Sequence, residues 1–264
     1  LRTRGPCRVP GTHAGGNHAP PPERGQVEGA GPHPACRGAG RWGRCPHDKG
    51  TPVTPATPVS TPKIAVIDYG IGNLRSAEKA LQHLGADAAL VSDPEVIDGA
   101  AAAVLPGVGA FGACMDALDA SGLAGSVRSF AASGRPFLGI CVGMQLLYDA
   151  SDESPGRLGL GVLEGTVRRL PDGVKHPQMQ WNRLEATEPT HRPLAGVEDA
   201  WMYFVHSYVA PMDDTVIATC EYGGPGVAAV ASDNVWAVQF HPEKSGLVGL
   251  DLLDNFVTSV QESQ

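Results

Sequence analysis

The residues with the most chemistry to offer lie in two short stretches 100 positions apart. The first is Gly139-Ile140-Cys141-Val142-Gly143, which follows the apolar Phe137-Leu138 and runs into Met144, Leu146, Leu147 and Tyr148. It reads as a buried strand, a tight turn and the start of a helix. This is the glycine-x-nucleophile-x-glycine elbow, with Cys where a hydrolase would carry Ser. Such a turn leaves no room for side chains on either neighbour, and a helix N-terminus favours a thiolate. The second stretch is Gln239-Phe240-His241-Pro242-Glu243-Lys244-Ser245-Gly246. A thiol nucleophile needs a base, and the base needs an orienting group. In an extended segment His241 and Glu243 share a face, so the carboxylate can hold one imidazole nitrogen and leave the other for sulfur. Alone, a Cys near a strand end is usually packing, and a His-x-Glu is usually a solvated strand end. Together, each behind an apolar run, they point to a Cys141-His241-Glu243 triad.

The elements that must carry these residues are strands alternating with helices. Ile64–Ile67 reads as a buried strand ending in Asp68-Tyr69-Gly70. Leu74, Ala77, Leu81 and Leu84 share a helical face, with Gly85 as the stop. Strands follow at 88–91 and 102–105, helices through Met115–Leu118 and over 123–132, and the strand 137–140 leads to the elbow. Beyond Asp152 the texture is strand-rich: 161–170, 183–186, 202–209, 215–220 and 227–231, then an Asp233-Asn234 hairpin turn into 235–240. Leu250, Leu253, Phe256, Val257 and Val260 form the apolar face of a last helix over 247–260. The order predicts an α/β fold, a three-layer αβα domain over 63–264 with a mainly parallel central sheet and additional mixed or antiparallel strands.

Charge divides the chain at the same boundary. Residues 1–62 hold eight Lys/Arg against three Asp/Glu, whereas the remainder holds 12 against 25, a net charge of −13. The acidic folded part is a poor candidate for nucleic acid binding, and no nucleic acid partner is expected. The basic segment is rich in Pro, Gly, Arg and His and is read as a disordered tail, because it cannot bury enough apolar surface to offset its ordering entropy. It begins at Leu1, and one expectation is that part of it stems from upstream translation. Its Cys36, Cys45 and His47 match no zinc-finger spacing, and no metal or cofactor is expected. Cys114, Cys141 and Cys220 are scattered without a CxxC pair, which fits a reducing cytoplasm. No apolar run reaches 18 residues, so no membrane span is expected.

Gly107-Val108-Gly109-Ala110-Phe111-Gly112 matches the dinucleotide-binding G-x-G-x-x-G. It follows the third strand rather than the first, and the region about 20 residues on reads Ser126-Val127-Arg128, with no acid for a ribose. Small residues after a strand expose backbone N–H groups that serve an oxyanion equally well.

PGVGAF (106–111), GICVGMQLL (139–147) and QFHPEKSG (239–246) together resemble the class I glutamine amidotransferases. KIAVIDYGIGNLRS (63–76), Gln178–Asn182 and YFVHSY (203–208) are similar to the glutaminase subunits of imidazole glycerol phosphate synthases. The resemblance covers about 63–264. It implies that Cys141 attacks the glutamine side-chain amide, His241 activates the thiol and protonates departing ammonia, and Glu243 orients His241. It further implies an oxyanion site at Val142 N–H and the Gly107–Val108–Gly109 backbone, with Gln145 and Glu153 holding L-glutamine. The partner so implied is a TIM-barrel cyclase subunit in a heterodimer, with Trp181, Asn182, Tyr203, His206, Tyr208 and Lys244 at the interface. The 106–109 strand would then be a switch whose N–H faces the oxyanion in the complex. One departure is Met179-Gln180-Trp181-Asn182 where the family has Met-Gly-Trp-Asn, a change bearing on the local backbone or partner contact.

Overall fold

The structure, a computed structural model, describes residues 63–187 and 191–263; the tail expected over 1–62 lies outside the described residues. The chain begins with β1 (Lys63–Ile67), α1 (Leu74–His83), β2 (Asp87–Val91), α2 (Pro94–Asp98) and β3 (Ala102–Gly107). Then come α3 (Phe111–Ala120), α4 (Ala124–Ala131), β4 (Phe137–Cys141), α5 (Val142–Leu146), β5 (Tyr148–Ser151) and β6 (Leu163–Arg169). The remaining strands are β7 (Gln178–Arg183), β8 (Glu185–Ala186), β9 (Trp201–His206), β10 (Tyr208–Val209), β11 (Val216–Glu221), β12 (Pro225–Ser232) and β13 (Val235–Val238), before α6 (Gly246–Glu262).

Eight strands form the central sheet in the order β2-β1-β3-β4-β13-β12-β11-β8. From β2 to β13 every pairing is parallel; from β13 to β8 every pairing is antiparallel. β3 and β4 are buried at every residue, as parallel strands covered on both faces must be. Right-handed crossovers put α1, on the connection that moves toward one edge, on the opposite face from α3 and α4, on the connection that moves toward the other. The packing agrees: α1 lies on α6, and α2 lies on α4. Strand order reverses between β1 and β3. Open α/β sheets place sites at such a reversal, beyond the carboxyl ends of the strands, and Asn73, Gly109, Cys141 and His241 all follow or end strands there.

Two smaller sheets lie outside this one: β10-β6-β5, and the antiparallel ribbon β7-β9. The hairpin expected at Asp233-Asn234 is present, with Ser232 opposite Val235 and Asp233 at φ 50°. One expectation fails locally. The elbow helix stops at Leu146, and fully buried Tyr148 opens β5 instead of continuing it. The helix α2, capped by the Asp93 carboxylate accepting from Glu95 N, has too few residues for a periodic signal.

Candidate active site

Cys141 ends β4 with φ 56° and ψ −114°, a backbone conformation that side-chain-bearing residues rarely adopt. The neighbouring glycines make it possible. A Cβ on Gly143 would lie 1.8 Å from the Leu105 carbonyl oxygen, and one on Gly107 2.6 Å from Gly143 N. The ends of β3 and β4 and the start of α5 therefore meet backbone to backbone. That contact, not a dinucleotide, accounts for the first glycine of the G-x-G-x-x-G.

His241 leaves β13 and is followed by a 3-10 turn over Pro242–Lys244. The extended geometry expected for this stretch is thus replaced by a turn, because Pro242 fixes φ at its first position. The turn carries Glu243 back onto the imidazole: Nδ1 lies 2.8 Å from Glu243 Oε1, and both side chains are only 2% exposed. Asn73 Nδ2 donates to the same oxygen at 3.1 Å, while Asn73 Oδ1 accepts from Ser76 Oγ at 2.9 Å. His241 Nε2 is buried without a hydrogen-bond partner among the described residues and shares a cleft of about 540 Å³ with Cys141. Burial pulls the imidazole's pKa down, but the nearby Cys141 sulfur and the hydrogen-bonded Glu243 carboxylate outweigh it and raise the value to about 9.

Val108, Gly109 and Val142 line the same cleft as Cys141. Gly109 has φ 101°, a conformation that glycine adopts without strain, and open space where a Cβ would be. Behind it, Tyr69 Oη donates to Pro106 O at 2.9 Å and Cys114 Sγ to Val108 O at 3.3 Å. Burial pushes the Tyr69 phenol up, which keeps it a donor. Gln145 is buried against the cleft and donates through Nε2 to Tyr208 O at 3.1 Å and to Gln239 Oε1 at 2.9 Å. Glu153 also lines the cleft, with Oε2 accepting from Phe111 N at 2.7 Å at the start of α3.

The six residues expected at an interface separate. Along β9, Trp201, Tyr203 and Val205 alternate with the buried Met202, Phe204 and His206, so Tyr203 and His206 point to opposite faces. Trp181 is 43% exposed and stacks edge-on against Tyr203, with ring centroids 6.1 Å apart. Lys244 is exposed at the cleft mouth, and Tyr208 is half-buried in the cleft wall. Asn182 and His206 are buried within the chain itself. Asn182 Nδ2 donates to Glu221 O at 2.9 Å, and His206 lines the cleft with Nδ1 2.8 Å from Tyr208 O. Gln180 sits exposed in ordinary extended backbone opposite Phe204, so the departure from glycine leaves the strand undisturbed.

Asn73, Tyr69 and Gln239 are not legible as site residues in the sequence. Asn73 meets Glu243 across 170 positions and Gln239 meets Cys141 across 98, contacts that no local spacing announces.

Residues 65–260 match the family described as Glutamine amidotransferase class-I. The chain is 51% identical over 199 residues to the imidazole glycerol phosphate synthase subunit HisH of Methanothermobacter thermautotrophicus, covering 75% of this chain and 99% of that one. It is 47% identical over 211 residues to the subunit of the same name from Synechococcus elongatus, covering 78% and 97%. A solved structure titled a glutamine amidotransferase superposes with a TM-score of 0.60 at 25% identity, covering 75% of this chain and 98% of that one. With a strained Cys141, a carboxylate-held His241 and backbone donors around one cleft, the chain belongs to the class I glutamine amidotransferases.

Proposed function

We propose that this chain is the glutaminase subunit of an imidazole glycerol phosphate synthase, releasing ammonia from glutamine for a cyclase subunit in histidine biosynthesis. The observation that carries the reading is the joining of the Glu243–His241 pair to the Cys141 cleft in a chain 51% identical across nearly all of a subunit of that name.

The geometry supports a two-stage reaction. Cys141 sulfur attacks the glutamine Cδ, and the negative charge passes to the amide oxygen. Val142 N–H and an N–H from 107–109 would hold that oxyanion, and loss of one such donor costs roughly a hundredfold or more in rate. His241 Nε2–H, held ready by Glu243, protonates the departing nitrogen as the C–N bond breaks, leaving a thioester and ammonia. Water then adds to the thioester with Nε2 as base, and glutamate leaves. Gln145 and Glu153, on the cleft wall, fit the substrate's amino-acid end.

The ribbon of β7 and β9 supports the partner contact. Met179, Trp181 and Trp201 are large apolar side chains exposed beside one another on its outer face, and Val205, on the same face of β9, lines the cleft. Gly109, able to take either sign of φ, suits a switch that completes the oxyanion site once the cyclase binds. A pull-down with the cyclase subunit, followed by glutaminase assays with and without it, tests the reading. Stable capture and activity that depends on the cyclase are expected. Robust activity of the isolated chain, indifferent to the cyclase, would instead favour a partner-independent hydrolase.

A further inference from the structure

We infer that Gln239 is a positioning residue for the nucleophile: its side-chain amide, oriented through Gln145 and the Tyr208 carbonyl, donates an N–H to the Cys141 sulfur. The inference rests on Cys141 being the nucleophile and adds a group to its machinery.

Gln239 is fully buried just after β13, two residues before His241. Its Nε2 lies 3.8 Å from Cys141 Sγ, and its Oε1 accepts from Gln145 Nε2 at 2.9 Å. An amide can be turned either way round, so its polarity has to be fixed by its neighbours. Here the chain of contacts fixes it. The Tyr208 carbonyl can only accept, so the Gln145 atom 3.1 Å from it must be nitrogen. The same nitrogen faces Gln239, so the facing Gln239 atom must be oxygen. The other end of the Gln239 amide, turned to sulfur, is then N–H. His206 reinforces the anchor. Burial, with the nearby His241 charge, lowers its pKa to about 4 against the Tyr208 hydrogen bond; the neutral ring presents Nδ1–H to the Tyr208 carbonyl at 2.8 Å, and the carbonyl accepts two donors.

A donor aimed at sulfur from inside the protein favours the charged form of the nucleophile and limits the directions the thiol can take. His241 approaches sulfur from the cleft. Gln239 holds it from the buried side, where no solvent could substitute. Bracing Gln145 alone would need only the Gln239 oxygen, so the two tasks can be separated by substitution.

The test is alkylation of Cys141 by iodoacetamide in the full chain, located by peptide mass spectrometry across pH, together with glutaminase kinetics in the presence of the cyclase. Gln239→Met keeps the length and removes both donor and acceptor. Gln239→Glu keeps an oxygen for Gln145 and removes the N–H from sulfur. We expect alkylation at pH 7 to slow about tenfold in Gln239→Met, as loss of one hydrogen bond to a charged group implies. It should slow further in Gln239→Glu, with both pH profiles displaced upward and kcat falling more than KM rises. Wild-type alkylation and kcat in Gln239→Glu would show that Gln239 only braces Gln145 and overturn the inference. If Gln239→Glu does not fold, an unchanged pH profile in Gln239→Met overturns it equally. Wild-type chain labelled no faster at Cys141 than at Cys114 and Cys220 would be a different failure, that of the nucleophile itself.

Discussion

Glu243→Gln is the substitution whose consequences the structure specifies most fully. Glu243 Oε1 receives two donors, the His241 ring at 2.8 Å and Asn73 Nδ2 at 3.1 Å. Gln in its place must turn its oxygen toward both, which sends its NH2 to the position of Oε2, a buried atom without a hydrogen-bond partner among the described residues. The variant therefore loses a charge beside the imidazole and buries a donor with nowhere to donate. A hydrogen bond to a charged group contributes about 1.5–3 kcal/mol and a neutral one about 1, so the catalytic loss is roughly 0.5–2 kcal/mol, or about 2- to 30-fold in kcat. The stranded amide adds roughly 1–3 kcal/mol of lost stability. The His241 ring also becomes less basic. Burial already pulls its pKa down, and of the two groups that raise it to about 9 only Cys141 would remain. Glutamate release, measured with the cyclase subunit across pH 6–10, tests this. The expected result is a modest fall in kcat with the alkaline limb displaced to lower pH. A loss as complete as that of Cys141→Ala, or an alkaline limb that does not move, would refute the reasoning.

The other predictions concern stability and the remaining thiols. Because the folded His241 pKa, about 9, lies above the ordinary 6.5, its protonation stabilises the fold; this contribution is whole below pH 6.5 and lost as the pH rises through about 9. The thermal midpoint should therefore fall more steeply between pH 7 and 10 in wild type than in His241→Ala, and parallel curves would count against it. Gly143→Ala sets a methyl group 1.8 Å from the Leu105 carbonyl, so a loss of about 3 kcal/mol or more is expected in denaturant unfolding; wild-type stability would contradict the backbone contact. Cys114→Ser and Cys220→Ser should retain glutaminase activity, since both thiols are buried, neither sits on the elbow, and the hydroxyl introduced by Cys114→Ser could still donate to the Val108 carbonyl behind the 107–109 backbone. Loss of glutamate release in either variant would contradict this.

Much of this site is legible in the sequence because its requirements are local. Cys141 between glycines marks a turn that tolerates no side chains, and the backbone approach to Gly143 gives that pattern its cause. β3 and β4 announce themselves as continuous apolar runs because both faces are covered. The Glu243–His241 contact follows from the spacing, although a 3-10 turn rather than an extended strand produces it. What escapes is set by distant parts of the chain. Tyr148 reads as helical by propensity and apolar spacing, yet pairing with Leu163 makes it a strand. Asn73 looks like a helix start, but its amide is aimed at Glu243. The burial of Asn182 and His206 is not visible in their motifs either, and follows from strand alternation that turns them inward.

The central claim is that Cys141 is the residue that meets glutamine. A glutamine-analogue chloroketone, added to the full chain with the cyclase subunit, tests it by peptide mass spectrometry. The account predicts a single adduct on Cys141, formed in step with loss of glutaminase activity and prevented by glutamine. Inactivation with the adduct on Cys114, Cys220 or another residue, or full labelling of Cys141 with activity intact, would contradict it.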